Sequence, residues 1–263
     1  KQYLTLSCNA IPTSDVCLDV EDLGNITLYE KKIVPAKIQC IEKLTPDVIK
    51  VVLRLPPTAN FAYNSGQYVN LIRGDIKRSY SVASAYQASA SLEFLIKKYE
   101  NGLMSQYWFE EARENDLLRM EGPLGSFFLR ETPKKNIILL ATGTGIAPVK
   151  AILEQVAQQP ETYNDKTFWL FFGARTLQDV FWEPTTIAVK NLHFTKALSR
   201  ETTIFEGFKG YVQEAVLHAN IDLTNAQVYA CGSNDMILAA KELFTQNQLP
   251  EKEFFSDAFI CTN

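Results

Sequence analysis

Polar and apolar positions alternate in short runs through the first half of the chain. Residues 37–41 and 48–55 have the period of two expected of strands with one buried face, and Pro56-Pro57 ends the second. Residues 67–72 follow a Ser65-Gly66 turn, and 79–83, 92–97 and 117–121 complete a set of short strands. One helix, over 103–113, interrupts them. This spacing predicts a small antiparallel barrel. The second half alternates instead between apolar runs and helical periods. Strands are predicted at 136–141, 167–172, 194–198, 227–231 and 254–259, with helices at 149–159, 179–190, 211–218 and 235–246. Continuous apolar strands between helices predict a parallel sheet covered on both faces. A polar stretch over 21–32 reads as a linker, and Glu131-Thr132-Pro133-Lys134-Lys135 as a connector. The expected fold class is therefore β + α/β: an antiparallel β-barrel over 33–132, then a parallel-sheet α/β domain over 133–263, preceded by a separate piece over 1–32.

Composition narrows the function. A net charge of −4 in 263 residues gives no electrostatic footprint for nucleic acid. No apolar run approaches the roughly 18 residues that span a bilayer, and no secretory signal opens the chain, so cytoplasmic localisation is expected. The five cysteines form no C-x-x-C pair, and His193 and His218 share no ligand spacing, so no metal site is expected from them.

Three short motifs carry the chemistry: Arg78-Ser79-Tyr80-Ser81, Gly143-Thr144-Gly145-Ile146-Ala147-Pro148 and Cys231-Gly232-Ser233. In a strand, Arg78 and Tyr80 share a side, offering a guanidinium fork for phosphate and an aromatic wall for a flat ring. Gly102-Leu103-Met104-Ser105 opens the barrel helix, where free N–H groups suit an anion or a plain helix cap. The 143–148 segment follows an apolar strand and leads into a helix; its glycines let a diphosphate approach backbone amides. It is not the usual dinucleotide fingerprint, because Pro148 replaces the third glycine and the second strand ends in Gly173-Ala174-Arg175 rather than an acid.

The order and spacing of these motifs resemble the ferredoxin reductase family of flavoenzymes over roughly 33–263, which includes reductases of oxygenase and deoxysugar-dehydratase systems. The resemblance implies a flavin-binding barrel in which Arg78, Ser79, Tyr80 and Ser81 hold the flavin, with Ser81 near its N5. By the same resemblance Gly102, Met104 and Ser105 would hold a second phosphate, which implies FAD. Gly122-Pro123-Leu124-Gly125 matches the family's turn between domains, and Gly66-Gln67-Tyr68-Val69 a supporting barrel strand. It further implies that Gly143, Thr144, Gly145, Pro148 and Arg175 bind NAD(P)H. By the same resemblance Cys231 and Gly232 would lie by the nicotinamide, and Asp257 and Phe259 of the C-terminal segment would reach back to the flavin, the ring of Phe259 in the nicotinamide's stacking place. Ser199-Arg200 and Tyr211 match the 2′-phosphate and adenine contacts of NADPH-using members. Gly210-Tyr211-Val212 equally matches NADH-using oxygenase reductases, so both cofactors stay open.

Residues 4–16, with Cys8, resemble the tail of a plant-type [2Fe–2S] ferredoxin domain. Cys8 would be its fourth cluster ligand, with the other three expected upstream of Lys1; otherwise Cys8 is a buried strand thiol. The expected function is FAD-dependent transfer of hydride from NAD(P)H, with electrons passed singly to a [2Fe–2S] centre of an oxygenase or deoxysugar dehydratase partner. The alternative is a free-flavin reductase that uses FAD or FMN as substrate. A non-catalytic flavin-binding module is disfavoured, since both nicotinamide motifs are intact.

Overall fold

The computed structural model describes residues 11–17, 23, 26–87 and 90–258. Cys8, Phe259 and most of the ferredoxin-like stretch lie outside the described residues. The first sheet holds β1 (Lys32–Lys43), β2 (Val48–Arg54), β3 (Tyr68–Arg73), β4 (Ile76–Ser81), β5 (Ser91–Lys97) and β6 (Leu117–Leu124) in the order β4-β3-β6-β1-β2-β5. Each adjacent pair of strands in it runs antiparallel. A bridge from Val82 to Phe94 brings the end of β4 toward β5 and curls the sheet into a partly closed barrel. Along β1 the side chains of Val34, Ala36 and Ile38 point inward while Ile33, Pro35 and Lys37 are exposed, which is the period that the sequence shows.

The second sheet holds β7 (Asn136–Thr142), β8 (Thr167–Ala174), β9 (Leu192–Leu198), β10 (Phe208–Lys209), β11 (Ala226–Gly232) and β12 (Phe254–Ala258), parallel throughout, in the order β10-β9-β8-β7-β11-β12. The helices are α1 (Leu103–Gln106) in the barrel half, then α2 (Ile146–Gln158), α3 (Val212–His218) and α4 (Asn234–Gln246). Every residue of β11 is buried, as expected for a strand covered on both faces. Ile137, Leu139 and Ala141 pack toward α2, and Ile138 and Leu140 toward α3 and α4. Each such aliphatic side chain contributes about 1.5–3 kcal/mol by leaving water. No helix among the described residues is long and apolar enough to cross a membrane.

Several expected elements differ. The predicted helix over 179–190 does not form. A 3₁₀ turn at Leu177–Asp179, closed by reciprocal Thr176–Asp179 hydrogen bonds, leads into an irregular segment. Pro184 lacks the N–H a helix needs and pushes Glu183 out of the helical region, while Val180, Phe181, Trp182, Ile187 and Val189 pack separately against the core. The 103–113 helix is one α turn followed by a π turn at Tyr107–Glu111, with Ala112 N–H bonded to the Tyr107 carbonyl at 2.8 Å. Of the Gly122-Pro123-Leu124-Gly125 motif, the first three residues belong to the last part of β6, and Gly125, with φ +84°, follows the strand's end. β10, only two residues long, was too short to give a period. The 131–135 connector lies in the irregular segment between β6 and β7.

Candidate active site

Strand β4 is the edge on which the barrel motif sits. Arg78 is exposed and donates one hydrogen bond, from Nη1 to the Lys77 carbonyl at 2.8 Å. Tyr80 is half-buried on the same side. Its hydroxyl accepts from Trp108 Nε1 at 3.1 Å, and the two rings stand at 90° with centroids 6.3 Å apart. Burial pushes the Tyr80 phenol up to about 12, against the opposing pull of the Trp108 hydrogen bond and Arg78, so it is neutral at physiological pH. Ser81 is buried at the strand's end, opposite Tyr68.

Ser79 points the other way. It donates to Asn70 Oδ1 at 2.8 Å, Asn70 donates to Glu121 Oε2 at 2.9 Å, and Glu121 pairs with Lys77 and with Lys31 at 3.3 Å. The Lys77 and Asn70 hydrogen bonds hold the Glu121 carboxyl down to about 2. The fold thus gives Ser79 a polar network on the outer face and does not bring it to Arg78 and Tyr80. At the start of α1, Ser105 Oγ accepts from Tyr99 N–H at 2.9 Å, Met104 is buried in the barrel core, and Gly102 is the cap residue. The Met104 side chain is therefore core, and the short helix that it belongs to lies beside β4.

On the other half, Gly143 has φ +55° and nothing within 4 Å of where a Cβ would stand, which leaves an open cradle at the end of β7. The Gly143–Gly145 3₁₀ turn runs straight into α2, with Pro148 buried in its first turn, where proline is tolerated. A Cβ at Gly145 would overlap the Cys231 carbonyl. Cys231 is fully buried between β7 and β12, in register with Ala141 on one side and Asp257 on the other. Burial raises its thiol well above the usual range, and Asp257 adds to this. Burial also pushes Asp257 up to about 6. Ser233 donates its N–H to Thr142 Oγ1 at 3.2 Å, tying the Cys231-Gly232-Ser233 turn to the end of β7.

A second group forms where β8 and β9 end. Ser199 N–H bonds the Ala174 carbonyl at 3.1 Å and Arg200 N–H the Arg175 carbonyl at 2.8 Å, so the two arginines sit on adjacent strand ends. Both are exposed, as is Tyr211, which precedes α3. Glu201 is buried and clasps this corner. It accepts from Leu177 N–H at 2.9 Å, Thr202 N–H at 2.9 Å, Thr203 N–H at 3.0 Å and Thr203 Oγ1 at 2.8 Å. These bonds, led by that from Leu177, hold its carboxyl down to about 2.

The structure therefore brings together Gly143, Gly145, Cys231, Gly232 and Asp257 in one group, and Arg175, Ser199, Arg200 and Tyr211 in another, both at the carboxyl edge of the parallel sheet where ligands bind in such folds. Trp108, Thr142 and Glu201 escaped the sequence reading. Only the acid after Ser-Arg, followed by two threonines, signalled one of them.

Two observations test the fit of a flavin and a nicotinamide nucleotide. The Arg78 fork has one internal hydrogen bond and stands exposed beside a half-buried aromatic wall, which suits a diphosphate joined to a flat ring. The open cradle at Gly143 suits a second diphosphate. Comparison agrees. Residues 35–129 match the oxidoreductase FAD-binding domain and 139–242 the oxidoreductase NAD-binding domain. The chain is 37% identical to the CDP-6-deoxy-L-threo-D-glycero-4-hexulose-3-dehydrase reductase of Yersinia pestis, over 97% of this chain and 77% of that protein. It is 33% identical to the propane 2-monooxygenase reductase component of Gordonia sp., over 86% of this chain and 67% of that protein. Its fold matches the ferredoxin reductase in carbazole 1,9a-dioxygenase with a TM-score of 0.81 at 24% identity, covering 92% of this chain and 74% of that one. The chain belongs to the ferredoxin reductase-like family of FAD- and NAD-binding oxidoreductases and is an NAD(P)H-dependent electron-transfer reductase.

Proposed function

We propose that this protein moves a hydride from nicotinamide C4 to flavin N5 between the β4 edge and the end of β11, and then passes electrons singly to a [2Fe–2S] centre. The observation that carries the reading is the position of Cys231: buried, with Asp257 in register on the next strand and Gly145 against its carbonyl. Bound FAD would supply the hydride acceptor and the step from two-electron to one-electron chemistry. Arg78 and the backbone at Gly102–Ser105 would hold its phosphates, Tyr80 would wall its ring and Ser81 would stand toward its reactive edge. Gly143, Thr144 and Gly145 receive the nicotinamide nucleotide's diphosphate. Cys231 and Gly232 shape the floor under the nicotinamide, where the buried thiol presents a neutral surface. Asp257 holds a proton below about pH 6 beside that floor. Arg175, Ser199, Arg200 and Tyr211 take the adenosine end.

The acceptor is an iron–sulfur domain or protein serving a deoxysugar dehydratase, a reading supported by the extent of the likeness to the Yersinia pestis protein. Service to an oxygenase is the second reading, supported by the Gordonia relative. We place this work in the cytoplasm, where a pool of NAD(P)H is available. Anaerobic titration of the FAD-loaded protein with NADH and with NADPH tests the core of this reading: the visible flavin absorbance should bleach. Flavin that stays oxidised with both would sink it. Reduction of an added [2Fe–2S] protein tests the acceptor, and turnover of free FMN or FAD as a released product would favour a free-flavin reductase.

A further inference from the structure

Lys150 on α2 is only 8% exposed, although lysine is rarely buried. Its ammonium group meets three acceptors. It donates to the Ala83 carbonyl at 3.0 Å and to Glu154 Oε1 at 2.5 Å, and it pairs with Glu93 Oε1 at 3.1 Å. Three N–H donors thus meet three oxygens. The other oxygen of Glu154 accepts from Ala85 N–H at 2.9 Å, and Ala83 N–H bonds the Glu93 carbonyl at 2.7 Å. Each end of this cluster is close in sequence to the site. Ala83 follows Ser81 by two residues, on the chain leaving β4. Lys150 follows Gly145 by five, on the helix that the Gly143–Gly145 turn opens.

The two halves already share an apolar core. Ala83, Leu95 and Phe127 from the barrel pack with Ile146, Val149 and Ile152 from α2. Apolar contact is non-directional and tolerates sliding. A buried ionic cluster adds little net stability, because desolvation offsets the attraction. What it adds is direction: bonds to one named carbonyl and one named amide leave α2 a single seat on the barrel. Hydride transfer depends on such a seat, because reacting atoms must stand about 3–3.5 Å apart and a 1 Å error costs on the order of 100-fold.

We infer that Lys150, through Ala83, Glu93 and Glu154, is a positioning residue that sets the distance between the nicotinamide end of β11 and the flavin edge of β4. The inference rests on the hydride-transfer reading above. Lys150 touches neither ligand in that reading, so its loss should separate rate from binding. The test is anaerobic stopped-flow reduction of the FAD-loaded full chain across an NAD(P)H titration, for wild type, Lys150→Met, Lys150→Arg and Glu154→Ala. Lys150→Met should lower the limiting reduction rate about tenfold or more, since a sub-ångström slip suffices for that. It should leave FAD content and nicotinamide affinity within about twofold, and weaken the long-wavelength absorbance of the stacked nicotinamide–flavin pair. Lys150→Arg, which can still reach the Ala83 carbonyl, should recover part of the rate. Glu154→Ala should show the same pattern more mildly, and it carries the test if Lys150→Met does not fold. A wild type reduced by neither nucleotide would fail the underlying reading. A wild type that is reduced, with variants that lose only melting temperature or lose rate and binding equally, would overturn this inference alone.

Discussion

Gly145 lies directly against Cys231: a Cβ at position 145 would overlap the Cys231 carbonyl and come within 2.8 Å of the Gly232 Cα. Gly145 itself has ordinary right-handed dihedrals, φ −59° and ψ −12°, so the requirement is for space rather than for an unusual backbone. The first turn into α2 and the end of β11 are thereby joined, and the phosphate cradle and the nicotinamide floor form one unit.

Gly145→Ala should force the two apart. Overpacking of this kind costs about 1–3 kcal/mol. The expected outcome is a lower denaturant midpoint and slower NAD(P)H-dependent flavin reduction, with FAD content unchanged. Equilibrium unfolding and stopped-flow reduction check this, and wild-type values in both would show that the turn relaxes at no cost.

Arg78→Ala should weaken FAD retention. One charge-assisted contact to phosphate is worth about 1.5–3 kcal/mol, or roughly ten- to a hundredfold in affinity. Titration of the apoprotein with FAD, followed by quenching of flavin fluorescence, measures it. Because Arg78 is exposed and makes one internal bond, stability should change little.

Cys231→Ala should lower the limiting rate of flavin reduction more than it weakens nicotinamide binding. The thiol is fully buried and its ionisation is disfavoured, so it acts as a neutral surface and not as a thiolate. The native protein should accordingly resist alkylation at Cys231 while the exposed Cys17 reacts. Rapid loss of activity with iodoacetamide, traced to Cys231 by mass spectrometry, would contradict this.

Asp257 titrates near 6 in the folded protein against 3.8 ordinarily, because burial disfavours its charge. The folded state then holds a proton that the unfolded state has already lost, so stability should fall as pH rises from about 4 to 6 and level off above. Asp257→Asn should remove that slope and be the more stable form at neutral pH. The reduction rate, if it uses this proton, should show an inflection near 6 that the variant lacks. Urea midpoints across pH, beside rate profiles, separate the two effects.

Most of the architecture was legible in the pattern of residues. Alternation in β1 and β2 and the apolar runs within β7 and β11 follow from which faces must leave water, and that constraint is local. The segment after Asp179 shows the limit. Its apolar residues have a helical look, yet Pro184 and separate packing sites on the sheet outweigh it, and those sites exist only after the sheet forms.

The site divides the same way. Motif order along the chain determined the family and nominated Arg78, Tyr80, Gly143 and Cys231, because turns and strand ends impose residue types over a few positions. Which side chains meet was decided by tertiary structure. Ser79 and Tyr80 are neighbours in sequence and face opposite ways, since a strand sends successive side chains to opposite faces. Cys231 and Asp257 are 26 positions apart and lie side by side, since parallel pairing of β11 with β12 sets them in register. Lys150 carried no signal at all in the sequence. Its meaning comes from Ala83 and Glu93, brought to it from the other half of the chain by a packed interface that no local pattern encodes.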